Sequence, residues 1–230
     1  MEEHSKIWHF EKFNIIKSLT ESEQNGVVLL STMKSYCKKE IIYLPENACD
    51  KIFFLKQGKV KISRYSKDGK EMILFLLSPG ELFGELSFSK QNNRNEVAEV
   101  IEDALLCSIK VEDLKSIIAE NPNFNLQVVK VMEERVQKIG NRLESLFFKS
   151  VSERIKEFIL QLALETGKEI NREDYKEIEV DLFLTHEEIA KLTATNRQSV
   201  TKVFNQLETQ NIISYSRKKL LIKDFNALKS

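Results

Sequence analysis

The chain has 230 residues, 42% hydrophobic and 30% charged, and its 35 basic and 35 acidic residues cancel to a formal net charge of zero. That length accommodates two small domains with separate cores, and no apolar run approaches the ~18 residues of a membrane-spanning helix. The opening "MEEHSKIWHF" lacks the basic-then-apolar build of a secretory signal, so a cytoplasmic location with no membrane partner is expected.

Residues 20–34 are predicted helical. Thr20 and Glu23 form a capping box, and Val27, Leu30 and Met33 or Lys34 follow at helical spacing. From about 38 to 110, short apolar runs ("EIIYL", "KIFFL", "KVKISRY", "EMILFLL", "ALLCSI") alternate with turn signals. The turns are expected at Pro45-Glu46-Asn47, Gln57-Gly58, Lys67-Asp68-Gly69, Ser78-Pro79-Gly80 and Gln91-Asn92-Asn93. Many short strands with regular turns predict a β-sandwich or barrel, and Asp68-Gly69 predicts a hairpin. Within "SPGELFGELSF" (78–88), glycine turns with free N–H groups can cradle a phosphate. A neighbouring carboxylate can hold a sugar hydroxyl.

After Pro122 the period is helical. Val129, Met132, Val136, Ile139, Leu143 and Leu146 alternate in steps of three and four, an a/d stripe interrupted at Gly140. This predicts a parallel coiled-coil dimer rather than a helix lying on its own barrel. Ile155, Phe158, Ile159 and Leu162 mark a further amphipathic helix, and "ETGKEINREDYKEIEV" reads as a charged surface connection.

The segment from Thr185 onward reads as two helices, a tight turn and a hairpin. Thr185 and Glu188 make a capping box, "TAT" (193–195) is the turn, and Asn196 is a natural N-cap. Val200, Val203, Phe204 and Leu207 form the inner face of the second helix, which leaves Arg197, Gln198, Thr201, Lys202 and Asn205 outward. Arg suits guanine, Gln suits adenine, Thr can meet a thymine methyl, and Lys reaches guanine or phosphate. Arg217, Lys218 and Lys219 at the hairpin tip suit phosphates. From Thr185 to the end, eight basic residues face four acidic ones, so the neutral total conceals a basic C-terminal part. Double-stranded DNA is the expected partner.

Cys37, Cys49 and Cys107 form no C-x-x-C and lie near no histidine, which argues against a disulfide framework or a metal site. They are expected to be small buried residues. No nucleophile–base pairing, metal cluster or P-loop is found, so no enzymatic activity is expected.

Three stretches, "DGKEMILFLLSPGELFGELSF" (68–88), the long helix to "SERI" (152–155), and "EEIAKLTATNRQSVTKVFNQLETQNII" (187–213), together resemble the Crp/Fnr superfamily of transcription regulators. The resemblance covers nearly the whole chain. It implies an α+β fold: an N-terminal cyclic-nucleotide-binding-type double-stranded β-helix (jelly roll), a long dimerisation helix, and a C-terminal winged helix-turn-helix. The boundaries are 1–122, 123–149 and 150–230. It further implies a homodimer, a pseudo-palindromic operator and RNA polymerase as a partner. Arg197, Gln198 and Lys202 fall on the family's base-reading positions and Thr201 on an auxiliary one. Gln198 stands where many relatives carry Glu, and Ala194 replaces a turn glycine.

The resemblance places an effector pocket at Gly84, Glu85, Leu86, Arg94 and Asn95, with Ile139 from the long helix. Asn95, Glu96, Ile139 and Gly140 depart from the nucleotide-binding pattern, so the effector is left open and cyclic AMP is not expected. The alternatives are a cyclic-AMP-responsive activator with an atypical pocket, or a cyclic-nucleotide-binding module acting on a protein partner. Haem and iron–sulfur are not expected: the iron–sulfur branch's N-terminal cysteines are absent, and the only histidines are His4, His9 and His186. His186, in the first turn of a helix, is expected to have a surface role.

Overall fold

Thr20 opens the first well-capped helix. Its side chain accepts from Glu23 N while Glu23 accepts from Thr20 N, which satisfies two otherwise orphaned amides. The computed structural model describes residues 13–45, 50–84, 96–119, 121–171, 176–216 and 218–229. They divide into two compact units, 1–138 and 139–230.

The first unit holds helices α1 (Asn14–Lys17) and α2 (Glu21–Leu30), then strands β1 (Thr32–Tyr36), β2 (Ile41–Tyr43), β3 (Lys51–Tyr65), β4 (Glu71–Leu77), β5 (Leu82–Gly84) and β6 (Glu96–Lys110). Helix α3 (Val111–Ile118) and the long helix α4 (Pro122–Phe148) follow. The strands pair antiparallel in the order β1-β6-β3-β4, with β2 added to β6 and β5 to β3. Strand β3 is buried on both sides, which explains its continuous apolar run. Ile52 and Phe54 pack with Phe13, Ile16, Leu114 and Phe124, whereas Phe53 and Leu55 pack with Tyr43, Phe83 and Leu106. This is the period of two expected of a strand.

Three expectations are corrected here. Helix α2 ends at Leu30, where Ser31 turns extended (φ −94°, ψ 148°), and Met33 and Lys34 lie in β1, paired with β6. Gln57-Gly58 is not a turn between two strands but an irregularity inside β3, where the register with β6 shifts. Gly58 has φ 81°, and a Cβ there would lie 2.2 Å from the Asp103 carbonyl oxygen. The glycine therefore lets one strand bend without ending. Cys37 is exposed, while Cys107 is buried as expected and Cys49 lies outside the described residues. The Asp68-Gly69 hairpin forms as predicted between β3 and β4, with Gly69 at φ 75°.

The second unit contains the end of α4, then α5 (Val151–Thr166), β7 (Lys168–Asn171), β8 (Lys176–Asp181), α6 (His186–Leu192), α7 (Arg197–Thr209), β9 (Ile213–Tyr215), β10 (Lys219–Ile222) and α8 (Phe225–Lys229). The stretch expected to be a surface connection instead supplies β7 and β8, half of a four-stranded sheet in the order β7-β8-β10-β9. The reason is the alternation Ile178, Val180. Val180 is fully buried opposite Leu220, and Ile178 packs against Gly167, where a Cβ would lie 2.3 Å from the Ala163 carbonyl.

A buried ion triad joins three strands of the first unit. Lys61 on β3 lies 2.9 Å from both Glu71 on β4 and Glu99 on β6, with Lys61 and Glu71 each 8% exposed at the side chain. Ser63 donates to Glu71 at 2.8 Å. Removing the cation would leave two carboxylates facing each other out of water. Lys61→Ala should therefore destabilise the chain by about 3 kcal/mol, read as a lowered denaturant midpoint. A loss below about 1 kcal/mol, the size of an exposed pair, would contradict this account.

Candidate nucleic-acid interface and effector site

The second unit's helix pair is built from its caps inward. Thr185 accepts from Glu188 N at 3.2 Å, and Glu188 accepts from Thr185 N at 2.7 Å, so α6 starts where the sequence predicts. Between the helices, Thr193 is buried and its hydroxyl donates to the Ile189 carbonyl at 2.8 Å. Ala194 adopts φ 49°, the left-handed conformation that a glycine would hold without strain. For alanine this costs about 1 kcal/mol. Asn196 caps α7 by accepting from Ser199 N at 2.9 Å. Val200, Val203, Phe204 and Leu207 are buried, and Arg197, Gln198, Lys202 and Asn205 are exposed along one concave surface.

Two arginines hold the turn from behind. Arg154 on α5 donates to the Thr193 carbonyl at 2.9 Å and the Ala194 carbonyl at 3.2 Å, and a third bond reaches the Lys149 carbonyl at 2.9 Å. Arg142 on α4 donates to the Lys191 carbonyl at 3.2 Å. The carbonyls of Lys191, Thr193 and Ala194 lie at the C-terminal end of α6, where the helix dipole is negative, so guanidinium groups complement them.

Thr201 lines the same surface. It is half-buried, its oxygen 2.9 Å from His186 Nδ1, and it donates to the Arg197 carbonyl at 3.0 Å. His186 is likewise half-buried. Its ring packs tilted at 4.8 Å against Phe204 and 5.6 Å from Tyr215, which joins α6, α7 and β9. Burial, reinforced by the Arg197 charge, holds His186 below the ordinary histidine value. Tyr215 donates to Asn205 Oδ1 at 2.9 Å and thereby orients the Asn205 amide.

At the hairpin, Lys218 is exposed, and Lys219 pairs at 2.6 Å with Glu179 of β8, a hydrogen bond that raises its pKa. Arg217 lies outside the described residues.

In the first unit, the turn at 78–81 closes on itself. Ser78 N donates to Glu81 Oε2 at 2.7 Å, Gly80 N to the Leu55 carbonyl at 2.9 Å, and Glu81 N to the Ser78 carbonyl at 3.1 Å. Those amides are engaged and do not form an anion cradle. Gly84 ends β5 at φ 109°, and a Cβ there would lie 2.5 Å from the Lys51 carbonyl, so packing on β3 itself demands glycine. Glu85, Leu86, Arg94 and Asn95 lie outside the described residues. Glu96 pairs with Arg64 at 2.9 Å across β6 and β3. Near Gly84 is a residue the sequence reading missed, Arg135 of α4. Its guanidinium donates to the Leu82 carbonyl and lies 5.7 Å from the Phe75 ring centre. Burial lowers its pKa, while Glu81, Tyr43 and Glu96 oppose that shift. It remains a cation at any physiological pH.

On α4, Val129 (63% exposed), Val136 (69%), Ile139 (45%), Leu143 (52%) and Leu146 (38%) are apolar and uncovered in the single chain. Met132 is the exception in the predicted stripe, for it packs with Val128 and Val131 against the barrel-side core.

The sequence profile of the cyclic nucleotide-binding domain matches residues 33–121, and that of the Crp-like helix-turn-helix domain matches residues 153–230. The CRP-like cAMP-activated global transcriptional regulator of Mycobacterium tuberculosis is 32% identical, over 78% of this chain and 78% of its own. This chain belongs to the Crp/Fnr family of transcription regulators. The global nitrogen regulator of Synechocystis sp. is 26% identical over 85% of this chain and 86% of its own. A CooA mutant from Carboxydothermus hydrogenoformans superposes with a TM-score of 0.74 at 28% identity, covering 89% of this chain and 88% of that one. FixK2 from Bradyrhizobium japonicum shares the fold, with a TM-score of 0.74 at 18% identity. The α+β architecture is that of Crp/Fnr structures, and the chain is a regulator rather than an enzyme. No helix among the described residues is long and apolar enough to cross a membrane.

This Crp/Fnr reading head carries a built-in pH dependence. Because the folded state disfavours the His186 cation, the unfolded chain binds more protons below ~6.5, the ordinary histidine value. The neutral ring's contribution is complete above that pH and is lost as pH falls from ~6.5 toward the lower folded value. The thermal midpoint of the wild type should therefore drop on acidification from about pH 7.5 to 5.5, and His186→Gln should flatten that slope. An unchanged slope in the variant would show that other groups set it.

Proposed function

We propose that this Crp/Fnr regulator is a homodimer that reads a pseudo-palindromic operator through α7, under the control of a small-molecule effector in the first unit. The observation that carries the DNA-reading half is the outward set Arg197, Gln198 and Lys202 on a helix whose opposite face is buried. Its first turns bear the groups that read major-groove edges, which is how helix-turn-helix proteins dock. Lys218, exposed at the hairpin, serves the phosphate backbone, with Arg217 beside it in sequence. Lys219 is the weaker candidate because Glu179 neutralises it. The uncovered apolar stripe from Val129 to Leu146 supports self-association, and two identical heads would set half-sites one helical turn, ~34 Å, apart. RNA polymerase is the expected downstream partner.

The test is binding to operators selected from random DNA, measured across a salt series. Arg197→Ala should cost about 1–3 kcal/mol and relax one base pair per half-site, while Lys218→Ala should weaken all sequences alike and lower the salt slope by about 1. A salt-independent Kd would contradict the electrostatic part. Gln198 favours adenine where a glutamate would accept from cytosine.

The effector is read as a compact anion held by Arg135 and the chain around Gly84, and not as cyclic AMP. Ile139 and Gly140, the positions the family resemblance assigns to base recognition, carry no side-chain donor, and a site built to read a base edge needs one. Isothermal titration with cyclic AMP should give no micromolar binding. A micromolar Kd, lost in Arg135→Ala, would overturn this reading and favour a cyclic-AMP-responsive regulator with an atypical pocket.

A further inference from the structure

We propose that His186 is a positioning residue that makes Thr201 a reader of the thymine methyl group. The inference rests on α7 entering the major groove and deepens that reading to one position of the operator.

A threonine hydroxyl has a single hydrogen to donate. The Thr201 hydroxyl can give it to the Arg197 carbonyl, one turn back on α7, at 3.0 Å. The same oxygen is 2.9 Å from His186 Nδ1. Whichever of the two partners takes the proton, both engage the hydroxyl and no hydrogen is left for a third. The ring cannot easily turn to undo this, because Phe204 and Tyr215 pack against it at 4.8 and 5.6 Å.

The consequence lies in what Thr201 has left to offer. In a helix, threonine divides between two χ1 wells, because its oxygen can reach a carbonyl of the preceding turn. His186 Nδ1 adds a second partner for one of them and selects it. With the hydroxyl directed to its own helix and to α6, the remaining branch on Cβ is the Cγ2 methyl. Thr201 belongs to the same concave surface as Arg197, Gln198 and Lys202. It thus brings no hydrogen-bond donor to a base, which removes N7, O6 and O4 as targets. It brings an apolar contact, for which the 5-methyl group of thymine is the major-groove partner.

The experiment replaces thymine by uracil, one position at a time, in the selected operator, and measures the Kd of the full-length protein. Removing one methyl from an apolar contact should weaken wild-type binding about three- to fivefold at one position per half-site. Thr201→Val, which keeps the methyl, should preserve that ratio. Thr201→Ser, which keeps only the hydroxyl, should abolish it. His186→Phe, which retains a ring for Phe204 and Tyr215, should reduce the ratio while leaving discrimination at the Arg197 position intact. A purely structural role for His186 would lower affinity for all operators and leave the ratio unchanged. A specific complex that is indifferent to uracil at every position, or a Thr201→Ser variant with the full ratio, would overturn this inference alone. Failure to find any sequence-specific complex would overturn the DNA-reading function on which it rests.

Discussion

One helix, α4, has to satisfy two demands with a single period of 3.6 residues. Phe124, Val128, Val131 and Met132 recur on the side that packs against the barrel core, and Arg135 extends the same stripe by one step. Val129, Val136 and Leu143, with Ile139 and Leu146 at the alternate heptad positions, fall on a neighbouring stripe that stays uncovered. Each large apolar side chain left in water forgoes about 1.5–3 kcal/mol relative to burial. Such a row is what the proposed dimer would cover, and its a/d spacing fits a second copy of the same helix. Met132 stands on the border between stripes, at a heptad position yet partly packed against the core.

The reading head is built by a different economy, in which backbone carbonyls rather than side chains are the groups to be satisfied. The tight turn needs a left-handed residue and receives Ala194, at some cost. Arg154 offsets that cost by binding the carbonyls of Thr193 and Ala194 directly. Arg142 does the same for Lys191. In front of the turn, His186, Phe204 and Tyr215 lock α6, α7 and β9 together. The exposed residues of α7 are thus presented from an element whose own position is over-determined, as a specific site requires.

Much of this was legible in the sequence, and the failures have physical causes. Capping boxes at Thr20, Ser150 and Thr185 are local, so they could be read or recovered from spacing alone. The helix-turn-helix was legible because its turn, N-cap and inner face are all within one short segment. Gly58 misled because glycine marks a turn and a strand irregularity equally well, and only the closeness of Asp103, distant in sequence, decides between them. β7 and β8 were missed because their strands are rich in charge, and in β8 only Ile178 and Val180 carry the apolar alternation. Arg135 could have been found, since it continues the spacing of Val128, Val131 and Met132. His186 could not, because its partners Thr201, Phe204 and Tyr215 are brought to it by tertiary structure.

The effector region shows how far a motif can outlast one reason for it. "SPGELFG" looks like a phosphate loop, yet the amides of Ser78, Gly80 and Glu81 are satisfied within the barrel, and Gly84 is required by the Lys51 carbonyl. These features hold the fold whatever ligand the barrel takes. Under the proposed effector reading the discriminating group is the half-buried Arg135, whose guanidinium donates to a neutral carbonyl, that of Leu82. A charged oxygen makes a hydrogen bond to a guanidinium roughly twice as strong as a neutral one does. An anion reaching Arg135 would therefore compete well with Leu82. Arg135 precedes Val136 of the exposed stripe by one residue, so under that proposal a change in its bonding would fall on the helix that carries the dimer seam.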